Sequence, residues 1–220
     1  MTIKDAVGKS CNPVFSRIAL SHLRPNVLTN YVERFGFNRL LPFDLPLDIS
    51  QADIPSDDFL YGRTAAGFGH VRMSVVHAAT MVSGIANYGV MPRPSLVDTI
   101  HSPSGKISYE RSEKPIGTML QPDTAIEVLD SMEASVTHGT SRKSFTLAKN
   151  SPLAGVRVGG KTGTLSGNDP SGVNHWFVGA APLDSPEIAI AVLIIDGRNP
   201  RYRSSKVARM MLEKFYEDKI

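Results

Sequence analysis

The chain has 220 residues, 41% apolar and 20% charged, a balance that suits one globular domain, or at most two, with a full core. A net charge of +3, with no run of Lys or Arg beyond two, excludes the basic footprint of a nucleic-acid binder. The single cysteine, Cys11, excludes an internal disulfide, and the six histidines lack metal-ligand spacing. No basic-then-apolar leader opens the sequence. Its longest apolar run, 188–195, has eight residues and is too short for a membrane span, so the chain as written reads as soluble.

Residues 4–23 predict a helix. Ala6, Val7, Val14, Phe15, Ile18, Ala19 and Leu23 give it a 3.6-period face, which Asn12-Pro13 interrupts near the start. Pro25 ends that helix, and residues 28–35 form a second short one stopped by Gly36. Prolines 42, 46 and 55 mark residues 38–58 as an irregular surface segment. A turn over 67–74 leads into 75–87, apolar on most sides and therefore a buried helix ended by Gly89. Residues 97–100 and 106–109 flank Ser-Pro-Ser-Gly as a small hairpin. Pro122 and its neighbouring acids open a helix to about Val136, closed by Gly139-Thr140. Residues 156–166, 173–181 and 187–196 then read as a three-strand meander. The third strand is nearly all apolar, which predicts a central strand covered on both faces. A last helix over 201–219 carries Val207, Met210, Met211, Phe215 and Tyr216 on one stripe.

The chemistry concentrates in Val156-Arg-Val-Gly-Gly-Lys161-Thr162-Gly163-Thr164-Leu165. Its alternation predicts a half-buried strand, and its glycines admit a close neighbour. Lys161, Thr162 and Thr164 can together face an anion. Gly155 to Thr162 also matches the phosphate-binding pattern G-x-x-x-x-G-K-[ST]. That pattern needs a helix directly after Lys-Thr, whereas residues 163–172 are turn material, so nucleotide binding is a remote alternative.

Lys161-Thr162-Gly163-Thr164 on one strand and Trp176-Phe-Val-Gly-Ala-Ala-Pro182 on the next resemble penicillin-binding proteins. Ser10-Cys11-Asn12 upstream resembles that family's S-x-N motif. Gly67-Phe-Gly69, Asn87-Tyr-Gly-Val-Met-Pro92 and Gly139-Thr140 follow in the family's order. Ser166-Gly-Asn168 is a second S-x-N, but it lacks the helical context and lies on the wrong side of Lys-Thr-Gly.

The resemblance implies an α+β fold, an antiparallel sheet flanked by helices like that of serine β-lactamases and D,D-transpeptidases. It also implies serine acyl transfer on D-Ala-D-Ala stem peptides in peptidoglycan cross-linking, and binding of β-lactams. Ser10 and Lys161 would be the catalytic pair. Asn12 would hold the substrate amide, and Thr162, Gly163 and Thr164 would seat its terminal carboxylate. The resemblance names no cofactor and no metal, and it places the activity outside the cytoplasmic membrane.

One departure stands out. The nucleophile motif S-x-x-K occurs nowhere in the 220 residues, its nearest imitation being Thr140-Ser-Arg-Lys143. Residues 1–220 therefore read as the C-terminal part of one transpeptidase domain, incomplete in strands and nucleophile helix, and inactive alone. Its expected partners are the N-terminal half of that domain or a second copy through an exposed sheet edge. The alternative from another class is a non-catalytic peptide-binding or assembly fragment. By residue type Ser10 could also be a plain helix N-cap, Cys11 a small filler, Trp176 and Phe177 core and cleft wall, and His175 structural.

Overall fold

Two hydrophobic clusters, one on each face of a three-stranded antiparallel sheet, organise the chain. The computed structural model describes residues 1–69, 71–168 and 170–219. His70, inside the expected 67–74 turn, and Asp169, inside 163–172, lie outside the described residues. In chain order the elements are α1 (Ile3–Gly8), α2 (Asn12–His22), α3 (Pro25–Arg34), β1 (Gln51–Ala52), α4 (Asp58–Ala65), β2 (Val71–Arg72), α5 (Val75–Ala86), β3 (Val90–Met91), β4 (Thr99–His101), β5 (Ile107–Glu110), β6 (Gly117–Thr118), α6 (Pro122–Thr137), β7 (Gly159–Asn168), β8 (Ser171–Ala181), β9 (Ile188–Asp196) and α7 (Ser204–Glu217).

The sheet runs β7-β8-β9, with Gly160 opposite Gly179, Thr164 opposite His175 and Phe177 opposite Val192. Period-2 alternation sorts its side chains between two cores. Val178, Ala180 and Ala189 face Val82 and Ile85 of α5 and Leu129 and Met132 of α6. Phe177, Ala181, Ile190 and Val192 face Ala208 and Leu212 of α7. Helices on both faces explain why β9 is apolar on both sides. It is nonetheless the sheet's edge, not a central strand: β8 is its only partner among the described residues.

Several boundaries differ from those the sequence predicts. The helix expected over 4–23 is two helices, because Ser10 takes a left-handed φ of +52° between them. The second helix begins at Pro25, where proline's fixed φ suits a first turn, instead of at 28. The first long strand starts at Gly159 rather than 156, since Arg157 is drawn into ion pairs with Glu133 and Asp130 of α6 and with Asp184. Residues 38–58 are mostly irregular as expected, but Gln51–Ala52 pairs with Val71–Arg72. Helix α4 has no strong apolar period and is fixed instead by its Asp57 cap, which accepts from the Leu60 N–H at 2.9 Å.

Candidate active site

Ser10 is placed by the way α1 ends. The Cys11 N–H reaches the Ala6 carbonyl at 2.9 Å and the Ser10 N–H reaches the Val7 carbonyl at 3.1 Å. This is the paired closure that puts the residue past a helix end into the left-handed region. Glycine is the usual occupant there; a serine accepts backbone strain to point its side chain outward. Cys11, not Ser10, is the cap residue of α2, and it makes no side-chain capping bond, so the N-cap reading of Ser10 fails. Cys11 is half-buried. The turn is held by small residues. Gly8 packs on Ala134 of α6, and the Gly8 carbonyl accepts from the Thr140 N–H at 3.0 Å. A side chain at Gly139 would collide with that carbonyl.

Lys161 is placed by β7. The strand continues through Thr162 to Asn168, so no helix follows the Lys-Thr pair and the phosphate-loop alternative falls. The glycine before Lys161 has a specific cause: the Phe177 ring, fully buried, lies over Gly160, where an added Cβ would strike it. Lys161 Nζ donates to Ser10 Oγ at 2.7 Å and to the Thr162 carbonyl at 2.6 Å. These residues are 151 apart in sequence, so only the tertiary fold brings them together. Burial pushes the Lys161 ammonium below its ordinary lysine pKa, which makes its proton easier to give up.

A chain of hydroxyls ties the same strand to α6. Thr162 Oγ1 lies 2.7 Å from Thr140 Oγ1, which lies 3.2 Å from Ser135 Oγ; that in turn lies 3.2 Å from Ser141 Oγ. Ser135 and Ser141 are fully buried. The Gly-Thr pair belongs to the family pattern, but the two serines carry no sequence signal beyond their residue type. Beside Thr162 opens a cleft of roughly 410 Å³ whose walls include Thr140, Thr162, Gly163, Thr164 and Trp176. Ser10, Lys161 and Asn12 are not among its lining residues. Asn12 opens α2, half-buried, and its amide makes no hydrogen bond among the described residues. Phe177 is core and Trp176 cleft wall. His175 is buried, and its Nε2 lies 3.0 Å from the Gly197 carbonyl, a structural tether.

A family model described as the penicillin binding protein transpeptidase domain matches residues 1–217. The chain belongs to that transpeptidase family. Among its relatives, the peptidoglycan D,D-transpeptidase PbpA of Mycolicibacterium smegmatis is 27% identical, over 90% of this chain and 39% of that protein. The stage V sporulation protein D of Bacillus subtilis is also 27% identical, over 88% of this chain and 30% of its own length. Of solved structures, the D,D-transpeptidase domain of the Eggerthella lenta peptidoglycan glycosyltransferase superposes with a TM-score of 0.84. It is 26% identical, and the match covers 100% of this chain and 54% of that one. The imipenem acyl-enzyme of Mycobacterium tuberculosis penicillin-binding protein A superposes at 0.81, with 22% identity, over 97% of this chain and 47% of that one, a likeness of fold. The chain thus spans about two-fifths of its M. smegmatis relative and about half of the Eggerthella domain. Its α+β architecture, an antiparallel sheet between helices, is the family's fold.

Proposed function

We propose that this chain supplies the assisting pair and the substrate-binding strand of a D,D-transpeptidase that cross-links peptidoglycan outside the cytoplasmic membrane. The observation that carries the reading is the 2.7 Å hydrogen bond from Lys161 to Ser10. In the reaction, a serine that these 220 residues do not supply in an S-x-x-K motif attacks the penultimate D-Ala carbonyl of a stem peptide. The amide C–N bond breaks, D-Ala leaves, and an amine of a second stem takes the acyl group.

Each assisting residue then has a definite task. Ser10 accepts a hydrogen bond from Lys161, so its own O–H is free to donate to the leaving nitrogen. Lys161, with its proton loosened by burial, refills Ser10. Thr162 and Thr164 donate to the terminal carboxylate, Gly163 keeps the strand open between them, and the Thr164 N–H faces the oxyanion. Asn12 presents its free amide to the substrate backbone. β-Lactams occupy the same strand as mimics of the stem peptide.

Titration of the ¹⁵N-labelled chain with D-alanyl-D-alanine tests this reading. Saturable shifts should appear at Ser10, Lys161, Thr162 and Thr164, and not at the β4–β5 hairpin. A response absent from residues 161–164 would remove it.

A further inference from the structure

The hydroxyls of Ser141, Ser135, Thr140 and Thr162 run in series from the core to the cleft, with successive oxygens 3.2, 3.2 and 2.7 Å apart. Ser135 and Ser141 are fully buried, whereas Thr140 and Thr162 line the cleft. Ser135 is unusual for a helical hydroxyl. Those of Thr29, Thr80 and Thr137 donate to the carbonyl four residues back, the common local bond of a helical threonine. Ser135 lies within α6, yet it makes no such bond among the described residues and turns to Thr140 and Ser141 instead. The Ser141 N–H donates to the Ser135 carbonyl at 2.9 Å, which keeps the two serines together.

A hydroxyl carries one proton and two lone pairs, so the series has one proton more than it has bonds. Burial decides which way the inner bonds run. Were the series to run inward from Thr162, the last proton would sit on Ser141, whose hydroxyl has no partner but Ser135 among the described residues. A buried donor without an acceptor carries the full desolvation cost, whereas an oxygen that still makes one bond merely keeps a spare lone pair. The series therefore runs outward: Ser141 donates to Ser135, and Ser135 donates to Thr140. Thr140 is exposed, and the direction of its own proton depends on what stands at Thr162. An anion there takes the Thr162 proton and leaves that oxygen to accept from Thr140, whose donation is strengthened by the bond it receives. Without Ser135 that bias is lost. Thr162 can then donate to Thr140 and turn its lone pairs toward the anion.

We propose that Ser135 is a positioning residue: backed by Ser141 and acting through Thr140, it presets the Thr162 hydroxyl as a donor to an anion in the cleft. The direction of the inner bonds stands on burial alone. The inference rests on the transpeptidase reading only for its ligand, a peptide carboxylate. Ser135 touches no substrate itself.

Two measurements on the isotopically labelled chain test this. Sealed from solvent, the Ser135 and Ser141 hydroxyl protons should exchange slowly enough to give their own NMR resonances. The Ser135 proton should show nuclear Overhauser contacts to the Thr140 side chain, and the Ser141 proton to the β-protons of Ser135. A Ser135 proton on the Ser141 side, or one that exchanges too fast to detect, overturns the proposal. In titrations with D-alanyl-D-alanine read at the amides of residues 161–164, Ser135→Ala should weaken binding at least about threefold. Ser141→Ala should weaken it less, since Ser135 still donates outward, and Thr137→Ala should leave it unchanged. The uncharged D-alanyl-D-alaninamide should bind the parent and Ser135→Ala alike. Equal losses for both dipeptides would show that Ser135 merely supports the packing, and would overturn the proposal. D-alanyl-D-alanine binding that Ser135→Ala leaves unchanged overturns it too, yet leaves the transpeptidase reading standing. Outward-pointing protons with no response to either dipeptide at residues 161–164 uphold the preset and remove the stem-peptide reading instead.

Discussion

Ser10 joins two opposed energies. Its left-handed backbone costs about 1–2 kcal/mol for a residue with a Cβ. Its hydroxyl offsets that cost through a charge-assisted bond from Lys161, a type worth about 1.5–3 kcal/mol. Removing the hydroxyl alone and removing hydroxyl and strain together should therefore differ. Ser10→Gly is expected to be more stable than Ser10→Ala by about 1 kcal/mol, after glycine's freer unfolded chain takes back roughly 0.5–1. Urea unfolding midpoints decide it; an alanine variant equal to or more stable than the glycine variant would show that the turn is unstrained. The sequence motif marks Ser10 as a candidate but not its backbone, because a left-handed serine has no local signature.

At the scale of elements, the Ser10 turn and the Lys161 strand meet through α6. Gly139 touches the Gly8 carbonyl so closely that any side chain must push α1 away from α6. We expect Gly139→Ala to cost about 1–3 kcal/mol, the usual range for overpacking, and to lengthen the Lys161–Ser10 contact. Gly117→Ala, which meets open space, should stay within roughly 0.5 kcal/mol of the parent. Equal stabilities for the two variants would contradict the docking described. The longer elements are legible for different reasons: β7 alternates, β9 and α5 are apolar on most sides, α6 opens on Pro122 and acids, and α7 carries an apolar stripe. Residue Arg157 shows why the β7 boundary was not: Val156-Arg-Val alternates like a strand, yet its guanidinium is claimed by Glu133, Asp130 and Asp184. Pairs such as β1–β2 and β3–β6 have two residues per strand and hold only through distant partners, so no local pattern announces them. Ser135 and Ser141 were equally silent, since their series of hydroxyls ends on a strand far away in sequence.

For the whole molecule, two properties follow from what is buried and what is bare. His77 is fully buried between α3 and α5, its Nε2 2.7 Å from the Phe35 carbonyl. Burial pushes its pKa below 6.5, with the Phe35 bond opposing and Arg39 adding to the drop. The unfolded chain thus binds a proton that the folded chain refuses, so stability rises with pH across the window below 6.5 and falls on acidification. Unfolding midpoints between about pH 5 and 7 should fall less steeply with acid in His77→Gln; parallel slopes would exclude His77 as the cause. The bare feature is β9, whose outer edge has no partner strand among the described residues. An apolar edge is a template for pairing, so the 220-residue chain should self-associate in sedimentation experiments as concentration rises. A monodisperse monomer at high concentration would contradict that.

On the proposed reading these residues seat the substrate and move its proton, while the attacking serine belongs to an S-x-x-K motif that these 220 residues do not contain. Intact-mass spectrometry of the chain after exposure to benzylpenicillin addresses this directly. Hydrogen-bond donors aimed at an anion cannot retain a drug covalently without a nucleophile. The predicted spectrum is that of the unmodified chain; a stable penicilloyl adduct on Ser10, or on any other residue, would contradict the account.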